Sequence, residues 1–130
     1  MTGSLPDARQ RLGSFGERTA AAHLEAKGYR IIERNVRRRE AEIDIVATDG
    51  EAVVLVEVRT RRGAYPGMAA LSITRGKARK LLLAAEHYVE DHPDAAEMPM
   101  RIDIVAIELA SNGALLNVDH IEDAVRPDRR

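Results

Sequence analysis

The 130-residue chain predicts an α/β fold. Three observations carry that expectation. Helix-favouring sequence occupies two separate stretches, an Asp49-Gly50 turn splits a strand-like block into a hairpin, and a further alternating segment runs from Arg101 to Leu109. A chain of this length holds one ordinary core and is short for two, so we expect a single domain over 1–130 with short flexible termini at about 1–8 and 124–130.

The first helix is expected from about Asp7 to Lys27. Ala20, Ala21, Ala22, Leu24 and Ala26 favour it, and Gly28 is placed to end it. Leu12, Phe15, Thr19 and His23 form one stripe, with Gly13, Glu17, Ala20 and Leu24 beside it. Glu17 is therefore acidic on an inward-looking face, either as a boundary residue with its carboxylate in water or as a member of an acidic cluster. Tyr29 to Val36 has a strand-like centre, followed by hairpin strands at Glu40 to Thr48 and Glu51 to Thr60. Gly63, Tyr65, Pro66 and Gly67 make Arg61 to Leu71 a loop, placed to cover a substrate. A second helix starts near Ser72 or Thr74 and runs to about Asp91, burying Leu81, Leu82, Ala85 and Tyr88. Beyond a turn between Pro93 and Pro99 comes the Arg101–Leu109 strand. It sets Ile102, Ile104 and Ala106 on one face and Arg101, Asp103, Val105 and Ile107 on the other. Asp103 is more simply explained by pairing with Arg101 or by a sheet-edge position than as a further ligand. Leu115 to Ile121 reads as a last strand before a charged tail.

The hairpin carries the chemistry. With Asp49 and Gly50 as the two central residues, Val46 opposes Val53, Asp44 opposes Leu55 and Glu42 opposes Glu57. Side chains alternate with period two. Glu42, Asp44, Glu57 and Arg59 then share one face, and Ile43, Ile45, Ala47, Val54, Val56 and Val58 share the other. Like charges opposed on a sheet are destabilising, so this cluster calls for a cation. The plain alternative is a solvated acidic face, but Val46, Val53 and Leu55 on that same face imply partial burial, where unpaired carboxylates are costly.

The net charge of −1 hides an asymmetry: residues 27 to 80 hold 13 Lys and Arg against 7 Asp and Glu. Arg34, Arg37, Arg38 and Arg39 precede the carboxylate cluster, Arg61 and Arg62 follow it, and Arg75, Lys77, Arg79 and Lys80 come next, a distribution suited to a phosphate backbone or simply to solvated faces. There is no cysteine, which excludes disulfides and thiolate zinc sites and fits a reducing cytoplasm. The four histidines lack helical two-His zinc spacing, and no Gly-rich loop followed by Lys suggests an ATPase. With Phe15 and three tyrosines as the only aromatics, recognition by base-stacking platforms is disfavoured. No apolar run approaches a membrane span, so no membrane partner is expected.

Taken in order, Gly16-Glu17, Gly28-Tyr29 to Arg34-Asn35-Val36-Arg37, Glu42-Ile43-Asp44-Ile45-Val46-Ala47, Val56-Glu57-Val58-Arg59-Thr60-Arg61, Thr74 with Lys77, and Arg101 to Ala106 resemble the YraN family of small bacterial proteins. That family in turn resembles the PD-(D/E)XK restriction-endonuclease-like superfamily, most closely Holliday junction resolvases. The resemblance implies a three-layer sandwich with a mixed central sheet flanked by helices, and Mg²⁺ or Mn²⁺ held by motif acids. On this chain Asp44 would be the motif Asp, Glu57 the motif acid, Arg59 the motif basic residue and Glu17 the additional helix acid. Glu42 belongs to the family's Glu-Ile-Asp string, and the Val58 carbonyl would be a further ligand. Ala41 stands where the family has Gly, and Arg59 where the superfamily has Lys. With a pKa above about 12, arginine can stabilise negative charge but cannot release a proton to activate water. Lys77, one turn into the second helix, is another candidate for the vacant role.

Three functions are consistent with these residues. They are Mg²⁺-dependent hydrolysis of DNA, non-catalytic nucleic-acid binding on the same scaffold, and a protein adaptor that would leave the basic residues without a purpose. The sequence leaves open whether the chain is a monomer or a homodimer.

Overall fold

The computed structural model describes residues 7–39, 41–63 and 65–127. Helix α1 (Ala8–Ala26) leads into strands β1 (Arg30–Arg38), β2 (Ala41–Thr48) and β3 (Val53–Arg62). A short helix α2 (Met68–Leu71), helix α3 (Arg75–Asp91) and a 3₁₀ turn (Pro93–Glu97) cross back to β4 (Met100–Leu109), and β5 (Leu115–Val125) completes the sheet. The strands lie in chain order, β3 and β4 parallel and every other neighbour antiparallel. The one parallel pair is the one joined through helices, since parallel strands need a long crossover.

Helix α1 covers one face of this mixed sheet. Its Ala20, Ala21 and Leu24 pack with Ile45, Ala47, Val54, Val56, Val105 and Ile107. On the other face α3 contributes Leu81, Ala84 and Tyr88, packed with Val46, Val53, Leu55 and Ile102. Beside α3, Ala69 of α2 sits on Ile104 and Ala106. The result is the three-layer α/β sandwich with a mixed central sheet that the sequence led us to expect. Both helix starts are capped from their own sequence. Asp7 accepts from the Gln10 N–H at 2.8 Å while Gln10 bonds back, and Thr74 accepts from the Lys77 N–H at 3.1 Å. Among the described residues no helix is long and apolar enough to cross a membrane.

Several boundaries differ from expectation. The expected loop after β3 contains α2, and β5 continues to Val125, which pairs with Ile102, so the C-terminal tail starts later than 124. The proposed flexible ends at 1–6 and 128–130, and the hairpin residue Glu40, lie outside the described residues.

The hairpin register is also shifted. Thr48 pairs with Val53, Val46 with Leu55 and Ile45 with Val56, so the connection is the four residues Asp49 to Ala52 rather than a two-residue turn. Side chains account for this. The Asp49 carboxylate accepts the N–H groups of both Glu51 and Ala52 at 2.9 Å, and the Thr48 hydroxyl accepts from Gly50 and donates to the Ala52 carbonyl. Those N–H bonds, with Arg101 behind them, hold the Asp49 carboxyl down at about 2.

Arg101 also donates to Asp103, which is fully buried in β4. Asp103 further accepts from His120 at 2.7 Å and from the Asp123 N–H at 2.9 Å. Burial alone would push the Asp103 carboxyl up, but these three donors outweigh it and hold it below the ordinary value. Asp103 therefore pairs with Arg101 as expected, and it ties β4 to β5 and to the β2–β3 loop.

A close approach fixes α1 on the sheet: a Cβ at Gly16 would overlap the Thr60 hydroxyl on β3. Gly16→Ala should therefore destabilise by about 1 to 2 kcal/mol in spite of its better helix propensity, because overpacking outweighs it. Pairing it with Thr60→Ala should restore stability in a denaturant double-mutant cycle, and a persisting loss would show that Thr60 is not the obstacle.

Because the Asp49 carboxyl lies at about 2 in the fold against 3.8 when unperturbed, its contribution is complete above about pH 4 and disappears as pH falls towards 2. Asp49→Asn should flatten that part of the acid limb in urea titrations. An unchanged limb would assign acid sensitivity to other carboxylates, Asp103 first.

Candidate active site

The site forms where β2 and β3 separate. Their pairing ends at Ile45 and Val56, although β2 continues along β1 to Ala41 and β3 along β4 to Arg62. At the fork the Asp44 carboxylate takes the place of a ladder acceptor and receives the Val58 N–H at 2.9 Å. The fork also switches sides along β2. Ala41 and Ile43 pack with the α3-side core while Ile45 and Ala47 pack with the α1-side core, so Ile43 does not share a face with Ile45 as strict alternation would have it.

The cleft opening from the fork is about 340 Å³ and brings together Glu17 and Arg9 from α1, Glu42 and Asp44 from β2, Glu57 to Arg61 from β3, and Lys77 from α3. All five residues singled out as catalytic, Glu17, Asp44, Glu57, Arg59 and Lys77, meet here, with Glu42 and Val58 beside them. The corrected register improves the meeting. The shifted register ends with Ile45 opposite Val56, which puts Asp44 and Glu57 next in line at the mouth of the fork.

Asp44 and Glu57 lie side by side in the cleft and act on each other's ionisation. Glu57 is almost wholly buried. Desolvation and the neighbouring Asp44 charge push its carboxyl up to about 7, against the attraction of Lys77 and Arg59. Asp44 is also raised, by burial above all. Glu17 is raised by burial and by Asp44, and an Asn35 side-chain hydrogen bond offsets part of this.

Two cations address the same Glu57 oxygen. Arg59 Nη1 and Lys77 Nζ each lie 3.4 Å from Oε2. Arg59 is held from its other side, where Nε donates to Ser72 Oγ at 2.8 Å. Among the described residues no group of three or more His, Cys, Asp or Glu side chains is arranged as a metal site. The oxygen donors nearest the fork are the carboxylates of Asp44 and Glu57.

The arginines do not form one continuous basic surface. Arg37 pairs with Glu42 at 2.9 Å, whereas Arg38 turns to α3 and pairs with Glu90 and Asp91 at 2.8 and 3.2 Å. Neighbours on a strand point to opposite faces, which a count of charges does not register. Arg61 lines the cleft and Arg34 acts on Glu17 electrostatically. Arg62 donates to the Ser111 carbonyl at the far end of β3. Arg39 is exposed past the end of β1, and Arg75 lines grooves with Val125 and Arg126, away from the carboxylates.

Sequence reasoning missed Arg9, Ser72 and Asn35. Asn35 adopts a left-handed conformation, φ 53°, which Asn tolerates better than most residues, and the Asn within Arg34-Asn35-Val36 was the available signal.

The family model described as "Uncharacterised protein family UPF0102" matches residues 16–107. A UPF0102 protein of Chloroflexus aurantiacus is 43% identical over 124 residues, covering 95% of this chain and all of that protein. One from Roseiflexus castenholzii is 44% identical over 117 residues, covering 90% of this chain and 94% of its own length. Among solved structures, Pyrococcus furiosus SfsA in complex with Ca²⁺ aligns with TM-score 0.38 and 18% identity, over 89% of this chain and 64% of that one. The matched span takes in every cleft residue from Glu17 to Lys77, and with such identity over nearly the whole length the chain belongs to uncharacterised protein family UPF0102, the YraN family.

Proposed function

We propose that this protein is a divalent-cation-dependent nuclease hydrolysing phosphodiester bonds in DNA, branched or otherwise structured DNA included. The observation that carries the reading is the Asp44–Glu57 pair, a half-buried and a buried carboxyl group side by side in a cleft that also holds Arg9, Arg59, Arg61 and Lys77. Such a pair is costly to ionise without a cation, and its oxygen chemistry fits Mg²⁺ or Mn²⁺. Asp44, Glu57 and the Val58 carbonyl would hold the ion, which when bound polarises a phosphate and lowers the pKa of an attacking water.

The remaining work falls to the chain's own groups. Arg59, tethered by Ser72, presents a permanent positive charge where negative charge accumulates on the transferring phosphate. Lys77 is the group at Glu57 that can both carry and release a proton. Glu17, steadied by Asn35, adds a carboxyl across the cleft from the α1 side. Arg61 and Arg34 hold the phosphate backbone.

A second reading has its own support. Arg59 and Lys77 already neutralise Glu57, which is what a non-catalytic nucleic-acid-binding module on this fold would require.

Asp44→Ala and Glu57→Ala should each abolish Mg²⁺- or Mn²⁺-dependent cleavage across duplex, single-stranded, flap and four-way DNA, whereas Arg59→Lys should retain or improve it. Lys77→Met should lower kcat by about 10²-fold or more, as expected for loss of a general acid or base. If wild type and Arg59→Lys bind DNA but cut none of these substrates, and calorimetry detects no divalent ion at Asp44 and Glu57, the binding-module reading replaces the nuclease.

Charge placement gives a separate test. Neutralising Arg61 and Arg34 together should weaken DNA binding and reduce the salt slope by about 2, one for each phosphate that is no longer neutralised. Arg38→Ala should instead lower stability and leave the slope unchanged, because Arg38 is engaged with Glu90 and Asp91. The reverse result would place the nucleic acid on the α3 face.

A further inference from the structure

We infer that residues 65–71 form a wedge that stacks against an unpaired base, directing the protein to DNA with unstacked nucleotides rather than to continuous duplex. The inference rests on the nucleic-acid reading above and deepens it.

Helix α2 turns only one side to the protein. Ala69 is fully buried on Ile104 and Ala106, while Tyr65 and Leu71 are each 79% exposed and Met68 is 40% exposed. Tyr65 is the one exposed aromatic among the described residues, since Phe15, Tyr29 and Tyr88 all lie at least partly buried. Large apolar side chains held so far into water mark a contact surface when they cluster.

The charge of the flanking chain points to the partner. From Val58 to Ala85 the chain carries seven Lys and Arg and no Asp or Glu, in a protein with 21 acidic residues. An apolar tip within an acid-free, cationic segment complements a polyanion that also offers apolar faces, and a nucleic acid with a displaced base is such a molecule. One tyrosine is too little for a platform reading several bases, but it is enough for one.

The tip is also built to stay in place. The Gly67 N–H is held by the buried Glu108 carboxylate, and the Met68 and Leu71 N–H groups bond the carbonyls of Tyr65 and Gly67. Ser72, the next residue, bonds Arg59 in the cleft, so the wedge and the carboxylate pair are mechanically joined. A base stacked on Tyr65 would set the register of the adjoining backbone over Asp44 and Glu57.

The test compares a fully paired duplex with the same duplex carrying one unpaired 2-aminopurine, with EDTA present so that nothing is cut. Wild type should bind the bulged duplex about tenfold more tightly and quench the 2-aminopurine emission, as expected for one stacked base. Tyr65→Ala and Leu71→Ala should lose that preference while keeping wild-type affinity for the paired duplex, and Tyr65→Phe should keep both preference and quenching. Equal wild-type affinity for the two duplexes, or a preference surviving in Tyr65→Ala, overturns the wedge. Metal-dependent cleavage of both duplexes would still leave the nuclease standing. Binding to neither duplex overturns the wedge and the nucleic-acid reading together, and binding instead to phosphatidylserine-containing vesicles would assign the patch to a membrane surface.

Discussion

The fork between β2 and β3 is the constraint on which the rest of this site depends. A sheet ladder cannot simply stop in a protein interior, because the backbone groups it abandons need partners. Asp44 meets that need by accepting the Val58 N–H, so the strands part without leaving a buried donor unsatisfied. The same bond requires a carboxylate inside the fork and brings it against Glu57. Satisfaction of the local backbone and the candidate chemistry are therefore properties of one side chain.

Two aspartates on the central strands show how environment sets the role of a buried acid. Asp103 is surrounded by donors, Arg101, His120 and the Asp123 N–H, and is held ionised as a structural tie between β4, β5 and the Asp49 loop. Asp44 has the Val58 N–H as its one backbone donor, and desolvation first, with the Glu42 charge, raises its carboxyl. Charge satisfied by the protein contributes to stability. A carboxyl whose burial is incompletely compensated has its ionisation shifted upward, and that difference separates the two sites.

Much of this is legible in the chain because strand parity tolerates error. The Asp49-Gly50 turn suggests the wrong loop length, but the shift is by two residues, so the paired part of the hairpin up to Ile45 and Val56 keeps its faces and delivers Asp44 and Glu57 to the same fork. The loop length itself is hidden in the side-chain bonds of Asp49 and Thr48. Ile43 departs from its expected face because the fork interrupts alternation along β2, and nothing in Glu42-Ile43-Asp44 announces an interruption. The engagement of Arg38 is hidden for another reason: its partner Glu90 is 52 residues away, on a helix whose position only the tertiary fold determines. Residues that act through neighbours in sequence are readable, and those that act across layers are not.

The replacement of lysine by Arg59 looks different in space from how it looks in the chain. Arg59 and Lys77 reach the same Glu57 oxygen at the same 3.4 Å, one along β3 and the other from the first turn of α3. Their supports are unlike. Arg59 is clamped by Ser72 at the end of the wedge segment, while the backbone of Lys77 is set by the Thr74 cap and its long side chain remains adjustable. Arginine's planar guanidinium, held at two points, and lysine's single ammonium on a flexible stem are not interchangeable at such a position. Two cations from two elements thus converge on one carboxylate oxygen, and the start of α3, through its threonine cap, becomes part of the cleft.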